Sequence, residues 1–215
     1  MNRIAILSNA GSGRNRRRSE LLRRLDAASD VDHVVTDSAE AVPEALATLL
    51  GREPSVLAVN GGDGTLQAVL TVLADLVDAG AVPATPVPIA VLPAGSTNMS
   101  AHDLGCGGRL QRRLGDLLAL RDRDREAWRV TFRRPLQIHD AADRRRIGFF
   151  FGMGTIVRGI EYWHERLRHG GGAGEWSAGA ALARAAWGVV RRQPPFDAPS
   201  RLRLQARGSS SAMAG

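Results

Sequence analysis

Leu57–Leu76 reads LAVNGGDGTLQAVLTVLADL. An apolar run enters a glycine cluster, and an apolar-periodic segment leaves it. The run from Ser55 predicts a buried strand, and the segment from Leu66 to Val77 predicts a helix. Between them, glycines free the backbone and remove Cβ atoms, so N–H groups can approach an anion. The helix then presents its N-terminus, with its partial positive charge, to the same anion. One acidic residue, Asp63, sits in the middle of this cluster. It repels a phosphate unless a cation or a substrate proton lies between. Two chemical roles follow: holding Mg²⁺, directly or through water, or accepting a proton from an attacking hydroxyl. A third reading is structural, a tight Asp-Gly turn with Asp63 or Thr65 capping a helix.

Outward from this stretch the first half alternates. Strands are predicted at Arg3–Ser8, Asp32–Thr36, Ser55–Val59 and Val87–Pro93. Helices are predicted from Arg16, from Ser38 (with Ser38 as its cap), from Leu66 and from Arg109. Alternation of this kind predicts an α/β fold, with a parallel sheet covered by helices on both faces as a three-layer nucleotide-binding domain over residues 1–123. The charge run RDRDRE from Arg121 marks a boundary. Beyond it, WRVTF, LQIHD and RIGFFFG read as closely spaced antiparallel strands, with a turn at Ala141–Arg146. Helices are predicted from about Thr155 and Ser177, and a further strand at Arg201–Ala206. Residues 124–207 thus read as the start of an incomplete, β-rich second domain with a helical hairpin, and 208–215 as a loose tail.

Three small-residue loops follow three of the strands: NAGSGR from Asn9, NGGDGT from Asn60 and PAGSTN from Pro93. In an open parallel sheet they share one edge, where such folds bind ligands. Arg14, Arg16, Arg17 and Arg18 read either as phosphate partners or as a solvated helix face. Ser96, Thr97 and Asn98 supply hydroxyls and an amide, or cap another helix.

Composition narrows the classes. The 215 residues are 44% hydrophobic and 24% charged, with net charge +7. All 29 basic residues are arginine. A Walker A loop needs a lysine after its last glycine, so this is not a P-loop enzyme. Aromatics are only 5%, the arginines are dispersed, and no nucleic-acid-binding pattern is present. The single cysteine, Cys106, forms neither an internal disulfide nor a cysteine-based metal site. His33, His102, His139, His164 and His169 lack metal-ligand spacing. The N-terminal apolar run is too short for a signal peptide, and no stretch reaches the roughly 18–20 apolar residues that span a bilayer. A cytoplasmic location is expected. Trp163, Trp176 and Trp187 read as core, or as a membrane-interface face together with Arg158, Arg166, Arg168, Arg191 and Arg192.

The three loops, in this order and spacing, resemble the diacylglycerol kinase catalytic domain family, which includes bacterial lipid kinases and sphingosine and ceramide kinases. The family pattern runs Asn-Pro-x-Ser-Gly, Gly-Gly-Asp-Gly-Thr and Pro-x-Gly-Thr-x-Asn followed by an alanine. The matches are Asn9, Ser12 and Gly13; Gly61–Thr65; and Pro93, Gly95, Asn98 and Ala101. FGMG from Phe151 is similar to the Gly-x-Gly that opens the family's second domain. The resemblance spans about residues 3–185. It implies ATP-dependent phosphorylation of a lipid hydroxyl with Mg²⁺. It also implies ATP contacts at Asn9, Ala10, Gly11, Ser12, Gly13, Thr36, Gly61, Gly62, Asp63, Gly64, Thr65, Leu66, Gln67, Ser96 and Asn98, with Asp63 catalytic and no metal ligand set assigned. A lipid substrate and a transient, peripheral contact with the inner face of the membrane follow from it, while a homo-oligomer stays open. Ala10, Ser96, Met99 and Thr155-Ile156 depart from the family pattern. The Asp-Gly-Glu segment of bacterial members is missing, so the chain reads as a fragment or a short form with impaired catalysis. The alternatives are a nucleotide- or lipid-binding pseudokinase and, from the middle motif alone, a NAD-kinase-like enzyme.

Overall fold

The computed structural model describes residues 2–15, 19–26, 31–83, 87–140 and 142–152, with Trp187 and Arg191. Residues 2–151 of these belong to one compact unit, and Gly152, Trp187 and Arg191 to a second. In the second, the Arg191 guanidinium stacks over the Trp187 ring, 4.7 Å from its centroid. The expected helices from Thr155 and Ser177, the strand at 201–206 and most of FGMG lie outside the described residues, as do Trp163 and Trp176.

The first unit runs β1 (Ile4–Asn9), α1 (Ser19–Asp26), β2 (Val31–Thr36), α2 (Val42–Leu50), β3 (Val56–Gly61), α3 (Asp63–Asp78), β4 (Ile89–Pro93), α4 (Met99–Asp103), α5 (Leu110–Leu118), β5 (Leu136–His139) and β6 (Arg145–Gly148). The first four strands form one parallel sheet in the order β2-β1-β3-β4. β1, β3 and β4 are short and mainly apolar, as befits strands covered on both faces, while the edge strand β2 (VDHVVT) is more polar and half-buried. Period-2 alternation splits β1 between two cores. Ala5 and Leu7 face Leu46 and Leu49 of α2 and Leu66, Val69 and Leu73 of α3. Ile4 and Ile6 face Leu25 of α1 and Leu110, Leu114 and Leu117 of α5. The three-layer α/β reading holds.

Two helix starts differ from expectation. α2 begins at Val42 rather than Ser38; Ala41 is its N-cap, with no side-chain cap, and Pro43 lies in the first turn. Proline fits there because the first N–H groups have no intrahelical partner. α3 begins at Asp63, three residues before the expected Leu66, so Gly64 and Thr65 belong to its first turn.

WRVTF is not a strand: residues 128–135 carry no regular structure, and Phe132 is 94% exposed. Its alternation is strand-like, but no described strand pairs with it. β5 and β6 form the expected antiparallel hairpin. Asp140 closes its turn by accepting the N–H groups of Ala142 (2.9 Å) and Arg144 (3.0 Å). The hairpin docks on α3: Arg145 pairs with Asp75 and Asp78, and the Ile147 N–H donates to Thr71 Oγ1 at 3.0 Å. No described helix is long and apolar enough to cross a membrane.

Candidate functional site

The chain leaves β1 toward β2 on one side and returns through β3 on the other. The carboxyl ends of β1 and β3 therefore form a topological switch point, where the exits part to opposite faces and open a crevice. The expected loops lie at the ends of β1, β3 and β4.

They interlock. Asn9 Nδ2 donates to Thr65 Oγ1 at 2.8 Å, while its Oδ1 accepts the Gly11 N–H at 2.8 Å. One asparagine thus shapes the first loop and ties it to the first turn of α3. The Arg14 N–H donates to the Ala94 carbonyl at 2.9 Å, and its guanidinium to the carbonyls of Pro93 (3.0 Å) and Gly108 (3.1 Å). A Cβ on Gly13 would lie 3.2 Å from Ser96 Oγ.

The second and third loops touch through bare backbone. A Cβ on Gly95 would lie 2.5 Å from Gly62 Cα, a distance no side chain tolerates. Asn98 holds this approach. It is 3% exposed and left-handed (φ 52°), a conformation asparagine tolerates better than most residues. Its amide closes on Gly95 from both sides, accepting the Gly95 N–H at 2.7 Å and donating to the Gly95 carbonyl at 2.8 Å.

Asp63 completes the arrangement. Its Oδ2 accepts the Met99 N–H at 3.0 Å, and its Oδ1 the Ser100 N–H at 2.7 Å. These are the first two residues of α4, so Asp63 supplies from another loop the cap that α4 lacks locally. The structural reading of Asp63 is realised, but on α4 rather than on α3. Among the described residues, no group of three or more His, Cys, Asp or Glu could hold a metal ion.

Under the loops lies a buried polar layer. Asn60 Nδ2 donates to Ser8 Oγ at 2.8 Å, which also lies 2.8 Å from His33 Nε2. Asn15, 1% exposed, donates from Nδ2 to the Asn9 carbonyl (2.8 Å) and the Asn60 carbonyl (3.0 Å). Its Oδ1 and that of Asn60 are buried without a hydrogen-bond partner among the described residues. Sequence reasoning did not single out Ser8, Asn15 or Ser100. Only Asn15, an amide two residues after the Gly-Ser-Gly turn, left a signal, and it is faint.

The remaining expected residues sort by exposure. Gly11, Gly64 and Ser96 are exposed; Ala10, Gly13, Gly62 and Gln67 are half-buried. Ser12, Thr36, Gly61 and Thr65 are buried, and Thr36 directs its hydroxyl to the Ser8 carbonyl at 3.4 Å. The Leu66 side chain is in the core. The open floor of the crevice is therefore mainly backbone. At its centre the first turn of α3 offers N–H groups without intrahelical partners, and a Cβ on Gly64 would meet nothing within 4 Å.

The family model for the diacylglycerol kinase catalytic domain matches residues 3–129. The chain belongs to that family. The match contains the sheet and all three loops, and diacylglycerol kinase catalytic domains are, by that description, kinases. A kinase in general takes ATP with a divalent cation. Among solved structures, a diacylglycerol kinase from Bacillus anthracis str. Sterne aligns at 17% identity and TM-score 0.41, over 52% of this chain and 38% of that one. Another chain from the same organism, described as a candidate diacylglycerol kinase, aligns at 18% identity and TM-score 0.38, over 48% and 35%. At these scores the alignments add nothing to the family assignment, and the matched region is well under half of either solved chain. No curated protein matches.

Proposed function

We propose that this chain binds ATP at the crevice and serves transfer of its γ-phosphate to a lipid hydroxyl, in transient contact with the cytoplasmic face of a membrane. The observation that carries this reading is the first turn of α3. Its N–H groups lack intrahelical partners, Gly64 among them is exposed with open space where a Cβ would stand, and Gly61 and Gly62 let the turn pack closely on Thr65 and Gly95. An anion is the natural occupant of such a place. The phosphates fit, because the loops that carry Gly11, Gly13 and Ser96 lie against this turn. Thr36 and Gln67, implied as ATP contacts by the family resemblance, stay with the proposal.

Catalysis would rest on positioning and charge neutralisation. The hydrogen bonds among the loops hold the donors in place before the ligand arrives. Mg²⁺, when bound with the nucleotide, supplies charge neutralisation at the phosphates. Asp63 is the one carboxylate carried by the three loops, and its oxygens keep lone pairs beyond the two N–H contacts. It would reach such a cation through water, since Mg²⁺ retains much of its hydration shell.

A second reading is nucleotide binding without transfer. It is favoured by the engagement of both Asp63 oxygens with α4. The experiment is transfer of labelled γ-phosphate from Mg·ATP into a mixed lipid extract, by the wild-type chain and by Asp63→Asn, with thermal melts of both. Label in one lipid, lost in a variant that melts within a few degrees of wild type, is the expected result. An ATP-binding chain that transfers no label favours the second reading. A folded chain that binds no ATP overturns both.

A further inference from the structure

We infer that Asp37 is the sugar-recognising residue of this site, accepting hydrogen bonds from the ribose hydroxyls of a nucleotide whose phosphates lie on the first turn of α3. The inference rests on the proposed nucleotide binding and goes beyond it, to which nucleotides are accepted.

Topology places the residue. Asn9 and Thr36 are register partners at the carboxyl ends of β1 and β2, and the Ala10 N–H donates to the Thr36 carbonyl at 2.8 Å. Asp37 is the next residue. Its carbonyl lies 4.0 Å from where a Gly11 Cβ would stand, so the turn after β2 abuts the first glycine loop. Thr36 is buried and Asp37 is exposed, which makes Asp37 the first polar side chain open to solvent at that end of β2. It makes no hydrogen bond or ion pair among the described residues.

Distance and charge agree. β2 lies two strands from β3 in the order β2-β1-β3-β4, about 10 Å across at normal strand spacing. A nucleotide with its phosphates at α3 and its chain laid over Gly11 brings its sugar to β2. A free carboxylate there disfavours a phosphate at the same spot and favours a neutral group with donors. Two vicinal hydroxyls supply those donors, and two carboxylate oxygens accept them. An acid after the second strand plays this part in other open α/β sheets whose first strand ends in a glycine loop.

The test is equilibrium binding of ATP, 2′-deoxy-ATP and 3′-deoxy-ATP to the 215-residue chain and to Asp37→Ala. The wild type is expected to prefer ATP over at least one deoxy analogue by roughly tenfold, the loss of one charge-assisted hydrogen bond. In Asp37→Ala, ATP affinity should fall to that of the deoxy analogue, whose own affinity stays as in the wild type. Glu40→Ala, on the same exposed turn, should leave the preference intact. Equal binding of all three by the wild type, or a preference that survives in Asp37→Ala, overturns the inference and leaves nucleotide binding standing. So does equal weakening of all three in a variant that melts normally. A folded chain that binds none of the three overturns the underlying reading and this one with it.

Discussion

Gly64→Ala should stabilise the protein and weaken nucleotide binding. Gly64 is the second residue of α3, and a Cβ there meets nothing within 4 Å. The added methyl therefore costs no packing. Replacing glycine by alanine where the native conformation already suits it gains about 0.4–1 kcal/mol, mainly by restricting the unfolded chain. For a unit of this size that is a rise in Tm of about 1–4 °C. If the open space is where a phosphate sits, the same methyl pushes the anion off the first-turn N–H groups. Losing one charge-assisted hydrogen bond costs about 1.5–3 kcal/mol, or roughly ten- to 150-fold in affinity. Thermal melts with and without ATP read both signs in one experiment. A variant that melts higher and binds ATP within twofold of wild type refutes the placement of phosphates at α3.

Gly95→Ala should do the opposite to stability. Its Cβ would stand 2.5 Å from Gly62 Cα, and the two loops must part, at a cost of about 1–3 kcal/mol read by chemical denaturation. Asn98→Gly keeps the left-handed backbone but removes two buried hydrogen bonds; a loss of about 2–4 kcal/mol is expected, with ATP affinity falling as the third loop loosens. The hairpin turn should be acid-sensitive. The Arg144 N–H holds the Asp140 carboxyl below its ordinary value, so the turn's stabilisation is present above about pH 4 and fades as pH falls through the lowered value. An NMR titration of the Ala142 and Arg144 amides should show this, and Asp140→Asn should flatten it.

The layer order, the three loops and their shared edge were legible because period-2 and helical spacing report burial directly. Helix starts were less so. Ser38 looks like a cap, but Pro43, which suits a first turn, was the better local sign of the start. The helix from Leu66 was expected at its first apolar residue, although Asp63 and Gly64 are already helical; apolar periodicity is silent about a solvent-facing first turn. WRVTF carries strand propensity, but a strand needs a partner, and propensity does not supply one. The short helix α4 showed only as the alternative that Ser96, Thr97 or Asn98 caps another helix, because five residues show no period and the side chain that caps it lies 36 residues before its first residue. The same long-range contact hid which helix Asp63 caps. Its residue type and glycine neighbours pointed to a charge at the site, while its bonds to Met99 and Ser100 exist only once the third loop has folded beside the second. Asn15 was barely legible for a similar reason, since both carbonyls it bridges belong to strand ends.

The mutual hydrogen bonds of the loops change where entropy is lost. Asn9, Asn15 and Asp63 fix the loops against one another, and Asn98 fixes the third loop within itself. Ordering the loop backbone is therefore part of folding rather than of binding, and an anion bound as proposed would meet donors that are already aimed. Affinity and stability then share the same few asparagine and aspartate side chains. Random drift at these positions would erode both together, whereas drift at Gly64 would pull them apart.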